Sequence, residues 1–248
     1  MSPGAGNGRG GGRGSGGVPE PPSAPPPGAR LADVDELEVV VEKLVAGGDG
    51  LARWQGVPVF VPRSAPGDRL RVRLTERRPD YGRAEIEEVL EPGPGRREPP
   101  CPFFVRCGGC DLQHLEDDRQ LELKAAAAVE TLERLGRLEL PEPPEVVAGD
   151  PWAYRLRTQL HVVPGLKPAS GPEEAPAVGY FQRASHDLVP VDRCPILVPE
   201  LEELLPRLPQ RLARAAEEGA RQGPPRRLDL AAGDRQEVTA APVVEGLP

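Results

Sequence analysis

The cysteines constrain this chain more than any other feature. There are four. Cys101, Cys107 and Cys110 fall inside the run Cys-Pro-Phe-Phe-Val-Arg-Cys-Gly-Gly-Cys, and Cys194 stands far downstream in Asp-Arg-Cys-Pro-Ile. Three clustered thiols and one distant thiol predict a single four-ligand site. Such a site forms only if residues 111–193 fold back on themselves. Structural zinc is one candidate occupant, but zinc sites usually present two short knuckles of paired ligands. A C-x5-C-x2-C run with one remote partner is nearer to iron–sulfur spacing. A disulfide or a redox-active Cys-x-x-Cys pair is the third alternative. Gly108-Gly109 lets the backbone wrap tightly with its amides toward sulfur, and a proline after Cys101 and after Cys194 stiffens each exit.

Compartment bears on that choice. Met1-Ser2-Pro3-Gly4 begins a Gly/Pro-rich tail with no apolar core, unlike a signal peptide. No apolar run approaches the roughly 18 residues that suggest a membrane span. A soluble, cytoplasmic, monomeric protein with no membrane partner is predicted. In that compartment thiols stay reduced, which favours metal ligation over disulfides.

Composition predicts small, loop-rich modules. Of 248 residues, 29 are Gly, 33 are Pro and only 4% are aromatic, so cores must be built mainly from Leu, Val and Ala. Residues 1–34 read as a disordered tail; within it Gly8–Gly14 resembles, with only two arginines, the Arg/Gly segments that assist RNA binding. Residues 35–92 read as a five-stranded β-barrel, with Gly47-Gly48-Asp49-Gly50 and Pro66-Gly67-Asp68 as turns. Residues 93–140 hold the cysteine cluster and a helix over Glu116–Leu135, with Leu121, Ala125, Ala128, Leu132 and Leu135 as its packing stripe and Gly136 as its stop. Residues 141–248 read as a central α+β domain, truncated at its end. Its expected strands are Tyr154–Val163, Ala177–Ala184, His186–Val191, Arg227–Ala231 and Gln236–Ala241, with a helical stretch over 200–222 interrupted by Pro206 and Pro209.

The net charge of −8 argues against a nucleic-acid binder until it is divided. Residues 37–97 carry 11 Lys/Arg against 10 Asp/Glu, whereas residues 111–150 carry 4 against 11, so the acidity is mostly one helical segment. In Arg69-Leu70-Arg71-Val72-Arg73-Leu74 the alternation sends Leu70, Val72 and Leu74 inward and Arg69, Arg71 and Arg73 outward. With Arg77, Arg78 and Arg83 nearby this is a stripe suited to phosphates. The alternative is a solvated face balanced by Glu76, Glu85 and Glu87.

At these residues the chain resembles a known family, the bacterial S-adenosylmethionine-dependent RNA methyltransferases that methylate carbon 5 of uracil. It is most similar to the branch modifying large-subunit ribosomal RNA. Residues 37–91 resemble its TRAM domain, an RNA-binding barrel, through Gly47-Gly48-Asp49-Gly50-Leu51-Ala52 and Val61-Pro62 to Pro66-Gly67-Asp68. The family's four [4Fe–4S] ligands fall on Cys101, Cys107, Cys110 and Cys194. Cys110-Asp111-Leu112-Gln113-His114, Tyr154-Arg155-Leu156-Arg157 and Gly179-Tyr180-Phe181 through Ser185-His186-Asp187-Leu188-Val189 also fit. The likeness spans roughly residues 35–245, and it implies RNA-facing roles for Arg69, Arg71, Arg73, Arg77, Arg83, Arg155, Arg157 and His186.

One departure shapes the expected mechanism. The family's reaction needs a cysteine that adds to carbon 6 of uracil, a base for the carbon-5 proton, and a Gly-rich Rossmann-like pocket for S-adenosylmethionine. All four cysteines are committed to the cluster, and no strand, glycine loop and helix follow in that order after residue 200. A mainly β fold with α is therefore expected: a five-stranded TRAM or OB-like barrel, an iron–sulfur segment with a helix, and an incomplete central antiparallel domain, with the Rossmann-like methyltransferase domain absent. No catalytic residue is assigned, and S-adenosylmethionine is expected only in a missing C-terminal domain. The expected function is RNA recognition, chiefly of large-subunit rRNA. The alternatives are a stand-alone RNA-binding iron–sulfur or zinc protein and a zinc-stabilised module with no nucleic-acid role.

Overall fold

The period-two runs of residues 36–91 close on themselves. The computed structural model describes residues 30–218, 225–233 and 237–243, so the Arg/Gly tail lies outside the described residues. Strands β1 (Glu36–Leu44), β2 (Asp49–Trp54), β3 (Val57–Pro62), β4 (Arg69–Arg77) and β5 (Gly82–Glu91) form a closed barrel in the order β1-β2-β3-β5-β4. Every pairing is antiparallel except the short parallel contact of β3 with β5 that completes the ring. β2 turns into β3 through Gln55-Gly56, both at positive φ, the mirror-image turn whose twist matches the flanking strands. Register shifts between β4 and β5 supply the local bend that closing a narrow barrel requires.

The barrel interior is dry and aliphatic. Val39, Val41, Val59, Val61, Leu70 and Val72 are all buried there with Trp54, and Leu31 plugs one end from a 3-10 turn at Leu31–Asp33. Each such side chain contributes roughly 1.5–3 kcal/mol through burial.

Helix α1 (Asp117–Arg134) differs from expectation in the face it buries. Leu123 and Ala127 are buried, whereas Leu132 is 41% and Leu135 80% exposed. The predicted stripe therefore faces outward over its C-terminal half. Two causes act. The run Ala125–Ala128 makes every face equally apolar, and docking is decided by a small cluster of Leu44, Ala65, Leu115 and Leu123 at the barrel's edge. A Lys43–Glu130 ion pair of 2.5 Å then ties the helix to β1.

The second sheet is fully antiparallel: β6 (Arg157–Val163), β7 (Ala177–Phe181), β8 (Leu188–Pro190), β9 (Arg227–Ala232) and β10 (Val238–Val243), in the order β10-β9-β6-β7-β8. The expected 200–222 helix is divided by its prolines into α2 (Pro199–Glu202), a 3-10 turn at Leu205–Arg207 and α3 (Leu208–Glu217). Each piece starts with proline in its first turn, where the missing N–H costs nothing. Leu201, Leu205 and Leu208 press onto Leu160, Val162, Val178, Leu228 and Leu230, so one face of the sheet is core. The opposite face carries exposed Arg157 and Gln159.

Candidate metal centre

The cysteines come from three separate places in the chain. Cys101 opens a tight turn whose carbonyl accepts from the Phe104 amide at 3.1 Å. Cys107 lies against the β7–β8 turn, bridging Gln182, while the Gly108 amide donates to the Phe181 carbonyl at 3.0 Å. A Cβ on Gly108 would stand 2.9 Å from that carbonyl and 3.0 Å from the Arg183 amide, so only glycine permits this approach. Cys194 follows β8, and the Leu197 amide donates to its carbonyl at 3.0 Å. All four thiols line one small pocket walled by Phe103, Phe104, Tyr180, Val191 and Ile196, with Arg155 and Arg193 at its rim.

Burial pushes all four thiols up, Cys194 to about 11. Donors oppose that effect at every sulfur. The Gly109 amide reaches Cys107 Sγ at 3.4 Å, the Phe103 and Phe104 amides serve Cys101, the Gln113 side chain serves Cys110, and the Tyr180 hydroxyl and Ile196 amide serve Cys194. Half-buried sulfur ringed by N–H and O–H groups is an environment for thiolates that a cationic centre would complete. The thiols are free rather than bridged. Yet among the described residues no three His, Cys, Asp or Glu side chains group closely enough to hold one metal ion. A lone zinc needs every sulfur about 2.3 Å from one point, a demand that a multi-iron group relaxes by spreading its ligands over several atoms.

The centre is fastened to the barrel by an ionic clamp that sequence reasoning missed. Arg183, in the β7–β8 turn, donates to Asp49 of β2 at 2.7 Å and to Asp111 beside Cys110 at 2.5 Å. The second oxygen of Asp49 accepts from Arg83 of β5 at 3.1 Å. Asp49 was legible only as a turn residue. A second fastening runs through Asp68, fully buried, which accepts from the Ala65 and Gly93 amides at 2.6 and 2.8 Å and pairs with Arg96. Arg97 pairs with Asp117 and packs over the Trp152 ring, holding the start of α1 against residues 148–152.

His114, in the Cys110–His114 run, is 1% exposed. Neither ring nitrogen makes a well-formed hydrogen bond, although the Ser64 carbonyl lies close enough to favour the charged ring. Burial dominates and lowers it to about 4. The unfolded state therefore binds a proton that the fold refuses between about pH 6.5 and 4, and stability falls as pH falls through that window. Urea unfolding followed from about pH 7 to about pH 4.5 should show a loss of about 2.5 kcal/mol that His114→Phe flattens. Equal slopes in the two proteins would rule this out.

The arginines expected to meet RNA divide into two groups. On the barrel, Arg69 pairs with Glu38 and Glu91, Arg71 with Glu88, Arg73 with Glu85 and Glu87, Arg77 with Asp35, and Arg83 with Asp49 and Glu76. That face is an alternating lattice of charge. On the second sheet, Arg155 and Arg157 are exposed with no carboxylate partner among the described residues, and exposed His186 sits edge-on to Phe181.

Comparison with known proteins bears on all of these features. Residues 32–86 match the TRAM domain. The chain is 41% identical over 176 residues to the 23S rRNA (uracil(1939)-C(5))-methyltransferase RlmD of Pectobacterium atrosepticum, a stretch covering 71% of this chain and 38% of that one. It is 40% identical over 191 residues to an uncharacterized RNA methyltransferase of Parasynechococcus marenigrum, covering 77% of this chain and 38% of the relative. The chain thus spans well under half the length of the relatives it matches. Among solved structures, the tRNA (uracil-54, C5)-methyltransferase of Pyrococcus abyssi in complex with S-adenosyl-L-homocysteine superposes with a TM-score of 0.54 at 25% identity, covering 82% of this chain and 44% of that one.

That superposition corrects the expectation that the methyltransferase fold is absent. Most of this chain lies on the architecture of a uracil methyltransferase, so its modules are parts of that fold. The expectation rested on motifs not found in 248 residues, and a stretch covering 38% of its relatives cannot report on the fold by lacking a glycine loop.

Proposed function

Because this chain belongs to the RNA uracil-5-methyltransferase family, we propose that it serves S-adenosylmethionine-dependent methylation of uracil carbon 5 in large-subunit ribosomal RNA, and that the residues described here recognise that RNA. The observation that carries this reading is the match to a 23S rRNA uracil methyltransferase at 41% identity over 176 residues, 71% of this chain. The ionic clamp supports it, since Asp49 and Arg183 join barrel and sheet into one surface.

Cys101, Cys107, Cys110 and Cys194 would hold a [4Fe–4S] cluster. Bound there, the cluster would supply the positive charge that four half-buried thiolates need, and a rigid cross-link between residues 101–110 and the end of β8. The residues themselves do the positioning: Gly109, Gln113 and Tyr180 direct hydrogen bonds at sulfur, and the Phe103 and Ile196 side chains keep water away.

Binding to a large-subunit rRNA fragment, measured by fluorescence anisotropy, is the test. Affinity should fall roughly tenfold to hundredfold between about 50 and 200 mM salt, as expected when a few phosphate contacts release counterions. Absence of binding, or affinity indifferent to salt, would refute RNA recognition by these residues.

A further inference from the structure

The open face of the second sheet carries a feature that the core does not explain. Its other face is covered by α2 and α3. On the open side the rings of His161 (β6) and Phe181 (β7) stack in parallel, centroids 3.6 Å apart with 19° between planes. His186, from the β7–β8 turn, meets Phe181 edge-on at 5.4 Å. None of the three belongs to the packed core, and His161 and Phe181 remain half-buried while His186 is exposed. Burial, with Arg227 and His186 nearby, lowers the His161 imidazole below its ordinary value.

The arginines of this face lack the ion pairs that the barrel's arginines make among the described residues. Arg227 on β9 stands opposite His161, and Arg157 lies four residues before it on the same face of β6; neither has a carboxylate partner among the described residues, and the buried Arg227 Nε lacks any acceptor. Asp229, on the same face of β9, accepts from the Gln159 amide at 2.9 Å. From the turn that carries His186, Arg183 leads through Asp49 to Arg83, which lies over the Phe60 ring at 5.7 Å, and Phe60 meets Tyr81 edge-on at 6.1 Å. Two guanidiniums bridged by Asp49 thus lie between the rings of the sheet and those of the barrel.

We propose that His161, Phe181 and His186 form a base-stacking platform for single-stranded RNA, with Arg157 and Arg227 holding the strand's phosphates and the strand continuing over Phe60 and Tyr81. The proposal rests on the RNA reading above and adds where and how the strand is held. Stacking takes any base, because every base has a π-face, and it requires an unpaired one, because A-form duplexes keep their bases stacked inside.

The probe is a single-stranded RNA of about twelve nucleotides carrying one 2-aminopurine, whose fluorescence is quenched on stacking. The full chain should bind it, quench it, and prefer it at least fivefold over the same sequence as a duplex. Phe181→Leu should weaken binding about fivefold to twentyfold and relieve the quenching, in keeping with the loss of one stacking contact. His186→Ala, at an exposed turn where folding is untouched, should weaken it about threefold. Circular dichroism checks that Phe181→Leu is folded, and His186→Ala decides if it is not. Binding that stays at wild-type strength and quenching in both variants would overturn the platform while leaving RNA recognition standing. Equal affinity for the duplex would overturn it too. If the unaltered chain binds neither RNA, the underlying reading fails first.

Discussion

Cys194→Ser is expected to take away the metal and much of the stability together. Purified without oxygen, the unaltered chain should be brown, with broad absorbance at about 400 nm and about four irons per chain. The variant should be pale and hold less than about one. The stability loss follows from chain topology. Ligation would join Cys194 to Cys110 across residues 111–193, and a cross-link closing a loop of that size would contribute about 4.5 kcal/mol by restricting the unfolded chain. Serine keeps the volume and loses the soft ligand, so packing against Tyr180 and Ile196 changes little. Iron determination and urea unfolding, with and without the metal, read the two effects separately. A colourless wild-type chain carrying one zinc would defeat the cluster assignment. Iron retained in the variant would defeat the role of Cys194.

Asp68→Ala should be the most damaging change away from the thiols, costing roughly 3–5 kcal/mol. The side chain is fully buried, receives two backbone amides and pairs with Arg96, so alanine strands three donors at once. A buried N–H left unpaired costs about 1–3 kcal/mol and a buried guanidinium more. Asp68→Asn keeps an acceptor but not the charge and should fall between. Because Arg96 lies five residues past the end of β5, the damage should spread from the barrel to residues 93–97. Urea denaturation gives the size and amide hydrogen exchange the place. A loss below about 1 kcal/mol would mean that water replaces the carboxylate.

Parts of this structure could be read from residue order and parts could not, for identifiable reasons. Alternation in β4 was legible because a strand's faces are fixed by its own period, and Leu70, Val72 and Leu74 are indeed all buried. The fate of the arginines between them was legible only in part: Glu85 and Glu87, read as balancing that face, do pair with Arg73, but the remaining partners were not. Those partners, Glu38, Glu88 and Glu91, come from β1 and β5, which become neighbours of β4 only through the barrel's strand order. The alanine run in α1 left its buried face undetermined, since four identical small residues carry no angular information. Cysteine spacing showed which thiols could meet, but the Tyr180 and Gln113 donors that serve them depend on how β7 and the Cys110–His114 turn are set against each other. The His161–Phe181 stack is similarly invisible in the chain, because residues 164–176 hide the register that brings the rings together.

The long exposed stretch from Gly136 to Ala153 bears on how this lineage can change. It lies between Cys110 and Cys194 in the chain, yet almost none of it is buried. Closure entropy grows only as the logarithm of loop length, so doubling that stretch, which lengthens the segment between the two cysteines by about a fifth, would cost roughly 0.2 kcal/mol. Insertions and deletions there are nearly free to drift. The few residues on either side of Cys107, wedged against the Phe181 carbonyl, have no such freedom, and divergence in this protein should accumulate in length at one place and hardly at all at the other.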